Sequence, residues 1–284
     1  MSAESGQAQS IGGAKGQTCP RVGRVFRSAC VIMKSLLRLS FLALIGCWLP
    51  GFMASAAEPA DGGRGEVQAR RVLFLGNSIT RHPPLASIGW TNDWGMAASA
   101  REKDYAHVLA SALGALTGHP PEILTTNIAD FERNAAIYDA GDRLKDELAF
   151  HADLVIVAIG ENVPPLDSEA AKATFQASLV KLLTVLKRHG QPALFVRSCF
   201  WADTAKDAIL RQACATAGGV FVDISHLGQN PANSARSERT IAHEGVAGHP
   251  GDRGMKAIAD ALLAAIQREA HRARGSPLGN VFAS

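Results

Sequence analysis

Cysteine is scarce: five in 284 residues, and three of them (Cys19, Cys30, Cys47) fall within the first 47. The two that remain, Cys199 and Cys214, are expected as buried free thiols. Cys214 sits well along a helix-like segment that carries it away from the end of the apolar run at Cys199, too far for disulfide geometry. A basic face is also missing. Six of the 29 Lys/Arg and one of the 26 Asp/Glu precede residue 57, so the remainder carries 23 basic and 25 acidic side chains. A net charge near −2 without a basic stripe offers no footprint for nucleic acid.

Long apolar runs are absent too. The best candidate, around Leu42–Trp48, is short and is interrupted by Pro50-Gly51, which argues against a permanent membrane span. With Lys34 and Arg38 before it and Ala54-Ser55-Ala56 after it, the segment Met33–Ala56 reads as an export signal. The expected location is periplasmic or secreted. Cleavage after the small-residue box competes with a lipoprotein route in which Cys47 becomes the lipidated N-terminus. Residues 1–56 are therefore read as a leader, 57–69 as a polar linker and 70–284 as one folded domain.

No internal repeat, Gly-Lys phosphate loop or G-x-S-x-G elbow occurs after residue 70. Five short apolar runs do occur: Val72–Leu75, Glu122–Thr126, Leu154–Ile159, Ala193–Arg197 and Val220–Ile224. They alternate with amphipathic segments at Tyr105–Leu116, Asp142–Phe150, Glu169–Arg188, Thr204–Ala217 and Arg253–Arg272. Such alternation predicts an α/β domain, a five-stranded parallel sheet with helices on both faces. Ligands of open parallel sheets bind beyond the carboxyl ends of the strands, so the loops there are the places to look.

The loop after the first run is "GNSIT". Its Ser78 stands at a strand tip, where a hydroxyl is exposed and a backbone N–H is free, as suits a nucleophile; N-capping is the ordinary alternative. Near the other end, His249 in "GHPGD" precedes the last helix, for which Asp252 is the expected N-cap. A histidine in that loop can reach the first strand tip and serve as general base. After the third run, Asn162 in "GENVPP" is placed to donate to an oxyanion or else to cap a turn. The loop "NIADFERN" after the second run can supply a further backbone N–H.

In order and spacing, "FLGNSIT", "NIADFE", "AIGEN" and "GHPGDRGM" resemble the motifs of the SGNH, or GDSL-like, hydrolase superfamily over about residues 70–272. The resemblance implies a flavodoxin-like three-layer sandwich and serine ester hydrolysis without metal or organic cofactor. It also implies Ser78 as nucleophile, His249 as base, Asn162 as oxyanion-hole amide and the second loop as a backbone donor. Two positions depart from the pattern. Ala129 and Glu132 occupy glycine-like positions of the second loop, where a backbone N–H, assigned to Glu132, still serves. Val246 stands three residues before His249, where the family carries aspartate, leaving Glu244 or a backbone carbonyl to orient the imidazole.

Trp90 and Trp94 in "GWTNDWG" and Trp201 in "CFWAD" are either a hydrophobic plug or a flat wall for a sugar ring. The expected activity is removal of a small acyl group, an O-acetyl on carbohydrate above others. A lysophospholipase or thioesterase, an O-acetyltransferase and a glycan-binding protein without activity are the alternatives.

Overall fold

Strands buried on both faces must be apolar on both, and the first and third runs are. In β1 (Arg71–Gly76), Val72 and Phe74 point into one core layer while Leu73 and Leu75 point into the other. The computed structural model describes residues 67–275. The leader, its signal segment Met33–Ala56 with Cys47, and residues 57–66 of the linker lie outside the described residues.

The other elements follow in chain order. Helix α1 (Tyr105–Thr117) leads to β2 (Glu122–Asn127). Three short helices come next, α2 (Ala129–Asn134), α3 (Ala140–Arg143) and α4 (Lys145–Ala149). Then come β3 (Leu154–Ala158), α5 (Glu169–Arg188), β4 (Ala193–Arg197), α6 (Thr204–Thr216) and β5 (Val220–Val222). A single turn, α7 (Glu244–Ala247), precedes α8 (Asp252–Gly275). All strand pairs are parallel, in the order β2-β1-β3-β4-β5.

The expected five-stranded three-layer sandwich is what forms. Helices α1 and α8 cover one face over Val72, Phe74, Leu154 and Ile156. The opposite face, over Leu73, Leu75, Val155 and Val157, is covered by α5, α6 and the short helices. Along α5, Phe175, Leu179, Leu182, Leu183 and Leu186 are its buried stripe, and Ser168 caps its start by accepting from the Ala171 N–H at 3.1 Å. Cys199 and Cys214 are both free and buried.

Three expectations change. The single helix over Asp142–Phe150 is two, because Leu144 (φ −116°, ψ 31°) leaves helical geometry to bury its side chain. Helices α2 and α7 arise where loops were expected, each only a turn or so long and therefore without a readable period. Asp252 does not cap α8. Its carboxylate takes the Ser99 N–H at 2.8 Å and hydroxyl at 2.5 Å, while Glu238, fourteen residues upstream, accepts from the N–H groups of Asp252 and Arg253 at 2.8 Å each.

The strand order reverses direction beside β1: the chain first moves outward to β2, then returns across β1 to β3. A crevice opens at such a switch point, between the carboxyl ends of β1 and β3.

Candidate active site

Two glycines let the tips of these strands approach one another. A Cβ at Gly76 would lie 2.0 Å from Thr80 Oγ1 and 2.8 Å from the Ala158 carbonyl oxygen. Gly160 has φ +127°, a region closed to other residues, and a Cβ there would meet Cys199 Sγ at 2.4 Å. Beyond Gly76 the chain makes one tight turn: the Asn77 carbonyl accepts from the N–H groups of Thr80 (2.9 Å) and Arg81 (3.0 Å), and the Met96 N–H holds the Ser78 carbonyl at 2.8 Å. Ser78 is left at the apex, its own N–H without an acceptor among the described residues.

The Ser78 hydroxyl lies 2.8 Å from His249 Nε2, across 171 residues of sequence. On the far side of the ring, Nδ1 is 2.7 Å from the Gly245 carbonyl oxygen. A carbonyl only accepts, so Nδ1 carries the proton, and in the neutral ring Nε2 must then accept from Ser78. Burial pushes the His249 imidazole below its ordinary value of 6.5, with the Gly245 hydrogen bond opposing. A lower value keeps the base neutral further into acid. The acid limb of kcat/KM is therefore expected below pH 6.5, and a limb at 7 or above in a pH–rate profile would contradict this.

The second loop does something other than expected. Glu132 belongs to α2, and its backbone N–H turns back to the Ile128 carbonyl at 3.4 Å, so it is not the free donor assigned to it. The side chain is the active part of the residue. Buried to 1% exposure, its carboxylate accepts from Asn77 Nδ2 (3.1 Å), Gly160 N (2.6 Å), Asn162 N (3.2 Å) and Asn162 Nδ2 (2.7 Å). The Ala129 N–H, the other glycine-like position, donates to Asn127 Oδ1 at 2.9 Å.

Asn162 is fixed at both ends. Arg133 donates to its Oδ1 at 3.3 Å, and its Nδ2 gives one hydrogen to Glu132, leaving a second hydrogen for a ligand. Ser78, His249 and Asn162 line one cavity of about 540 Å³, together with Arg133 and Val246. The three expected side chains thus converge on one space.

Beneath the cavity lies a buried charge cluster. Glu161 accepts from Asn77 Nδ2 at 2.7 Å, from the Phe200 N–H at 2.8 Å and from Arg197 at 2.6 Å. Burial alone would raise the Glu161 carboxyl; the Arg197 guanidinium, with those hydrogen bonds, brings it below the usual value. Glu132 goes the other way, pushed up by burial and then by the Glu161 charge, against the bonds from Asn162 and Gly160. The two carboxylates share the single amide of Asn77.

Glu244 turns away from the imidazole. It is exposed and pairs with Arg236 at 2.9 Å, because α7 directs it outward while the Gly245 carbonyl faces His249. Val246 is buried beside Trp90, Met96, Ala97 and Ala235. Among the described residues, no carboxylate therefore stands at Nδ1. Two substitutions check this. Glu244→Gln should leave kcat within about two-fold of wild type, since a triad carboxylate would instead be worth up to about 10⁴-fold. Val246→Asp should not raise turnover; a charge among these apolar groups costs about 3 kcal/mol or more, a drop of roughly 6 to 12 °C in melting temperature. A faster, equally stable Val246→Asp enzyme would show that position 246 faces the imidazole.

The tryptophans divide. Trp90 and Trp94 pack edge to face at 6.0 Å, and their indole N–H groups are bonded to the carbonyls of His82 (2.9 Å) and Ala98 (3.1 Å). Trp90 is buried and Trp94 half-buried, an arrangement closer to the plug than to the wall. Trp201 is 41% exposed and lies with its ring perpendicular to that of His249 at 5.3 Å, so it is the most accessible of the three to a ligand.

Sequence reasoning missed the side chains of Asn77, Glu132, Glu161 and Arg197. A signal existed: Arg197 closes the buried run "ALFVR", and an arginine at 0% exposure demands a carboxylate partner.

The chain has the three-layer α/β sandwich with a serine–histidine pair at its switch point. No family model and no curated protein matches its sequence. Among solved structures it is similar to a protein of Bacteroides ovatus described as a GDSL-like lipase (12% identity, TM-score 0.48, 71% of this chain and 99% of that one). It is also similar to a family two carbohydrate esterase of Cellvibrio japonicus (16%, 0.41, 72% and 63%) and to the acetyl xylan esterase Est2A of Butyrivibrio proteoclasticus (14%, 0.45, 72% and 65%). The match spans just under two thirds of those two esterases.

Proposed function

We propose that this chain is an exported serine esterase of the SGNH type that hydrolyses a small acyl ester by a Ser78–His249 dyad. The observation that carries the reading is the line from Ser78 Oγ through His249 to the Gly245 carbonyl, with contacts of 2.8 and 2.7 Å. Ser78 Oγ attacks the ester carbonyl carbon while Nε2 takes its proton. The negative charge that develops on the carbonyl oxygen meets the Ser78 N–H and the second Nδ2 hydrogen of Asn162. The imidazolium then returns its proton to the departing alcohol oxygen, the C–O bond breaks and an acyl-serine remains. Water, deprotonated by His249, releases the acid and restores the hydroxyl.

The substrate we infer is an O-acetylated carbohydrate. Arg133, Asn162 and the imidazoles of His82, His243 and His249 share the cavity wall with Ile88, Met96 and Val246, a mixed lining that suits a small acyl group on a polar alcohol, and the half-exposed Trp201 beside His249 suits a sugar ring. The export signal read at Met33–Ala56 fits an extracellular polymer. Acetate release from p-nitrophenyl acetate tests the chemistry, and release from acetylated xylo-oligosaccharides tests the substrate class. Turnover of the first without the second would keep the esterase and remove the carbohydrate. Glycan binding with neither turnover would favour a binding protein.

A further inference from the structure

We propose that Glu132 is a positioning residue, one buried carboxylate that orients the Asn162 amide toward the oxyanion and holds it in register with the Ser78 loop. This rests on the esterase reading above. The geometry is specific on two counts.

First, the bonds of Glu132 join the two strand tips that form the crevice. One oxygen accepts from Asn77 Nδ2 (3.1 Å), next to Ser78, and from the N–H groups of Gly160 (2.6 Å) and Asn162 (3.2 Å), which follow β3. The other accepts from Asn162 Nδ2 (2.7 Å). Three donors thus converge on one oxygen and a fourth meets the other, so four hydrogen bonds from both strand tips fix the carboxylate. Asn77 is tied a second time, to Glu161 at 2.7 Å, and Glu161 is anchored by Arg197 at 2.6 Å. The tips of β1, β3 and β4 are thereby locked together through side chains below the reacting atoms.

Second, the arrangement permits only one orientation of the Asn162 amide. Its oxygen faces the Arg133 guanidinium at 3.3 Å, and its nitrogen faces Glu132. Turning it by 180° would set oxygen against carboxylate and NH₂ against guanidinium, two repulsive contacts for two attractive ones. The hydrogen not held by Glu132 is the one left to meet the oxyanion.

Glu132→Gln tests this without changing size. Its carbonyl oxygen will occupy the position with three donors, and its NH₂ will then face the Asn162 NH₂, donor against donor. The amide must turn or retreat, and kcat per active site should fall by about 10-fold to 100-fold with KM within two-fold, below the loss of about 10² to 10³ that full removal of one oxyanion donor produces. The Glu132→Gln/Asn162→Ala double variant should be no slower than Asn162→Ala alone. A residue important only for folding would lower the melting temperature and leave kcat per titrated site unchanged, and one that acts apart from Asn162 would slow the double variant below Asn162→Ala; either result overturns the proposal. If Glu132→Gln does not fold, wild-type protein decides by NMR. One hydrogen of the Asn162 side-chain amide should exchange slowly with solvent, whereas equal, fast exchange of both contradicts the assignment. A wild-type enzyme without ester turnover would overturn the esterase reading itself, while turnover unaffected by Glu132→Gln overturns only the role of Glu132.

Discussion

Alanine at position 78 is expected to lower kcat for p-nitrophenyl acetate by about 10⁴-fold to 10⁶-fold while the protein keeps its melting temperature. Among the described residues the hydroxyl makes one hydrogen bond, with His249 Nε2 at 2.8 Å, so its loss removes chemistry and little packing. His249→Ala should fall by a comparable factor. Because nucleophile and base act in the same proton transfer, the double variant should be no slower than the slower single one. Losses that multiply would mean that the two residues serve separate steps, and a Ser78→Ala enzyme with more than about a hundredth of wild-type turnover would remove the serine from its role. The residual rate in both cases is what the oxyanion donors and binding supply without a nucleophile.

The second large effect belongs to Asn162→Ala. It removes the side-chain donor to the oxyanion but leaves the Asn162 N–H on Glu132 at 3.2 Å, so the loop keeps one of its anchors. The expected cost is about 10²-fold to 10³-fold in kcat, or roughly 2.7 to 4 kcal/mol of transition-state stabilisation, with KM nearly constant. Ground-state binding is spared because the carbonyl oxygen acquires its charge only on the way to the tetrahedral intermediate. An amide that merely caps a turn would give the opposite pattern, a lower melting temperature with kcat per folded molecule preserved. Steady-state kinetics with thermal melts on the same preparations separates the two.

The sheet was legible because its signal is local. Strands buried on both faces, such as "VLFL" and "LVIVA", are continuous apolar runs, and the helix over Glu169–Arg188 repeats its apolar residues every three to four positions. Short helices carry no such period. The sequence of α2 therefore reads as a loop with a free Glu132 N–H, whereas that N–H is bonded to the Ile128 carbonyl at the start of the helix. Ser78, His249 and Asn162 were legible as residues at strand and loop ends, where the fold class itself directs attention. What orients the imidazole is legible only as a choice between Glu244 and a backbone carbonyl: a carbonyl has no letter in the sequence, and the turn of α7 is what brings that of Gly245 to Nδ1. Trp90 and Trp94 misled for a related reason. Two bridging contacts, His82 with Trp94 and Leu85 with Trp90, fold their segment back on itself, where the two rings pack against each other. The buried cluster of Asn77, Glu132, Glu161 and Arg197 joins positions up to 120 residues apart, a distance over which spacing carries no information.

The central claim is that a neutral His249, held by a backbone carbonyl, activates Ser78. Reaction with a fluorophosphonate followed by peptide mass mapping tests it most directly, because the reagent reports nucleophilicity without requiring the natural substrate. One adduct is predicted, on Ser78, forming with the same acid limb below pH 6.5 as kcat/KM and slowed by orders of magnitude in His249→Ala but not in Glu244→Gln. An adduct on another serine, or labelling of Ser78 at an undiminished rate in His249→Ala, would contradict it.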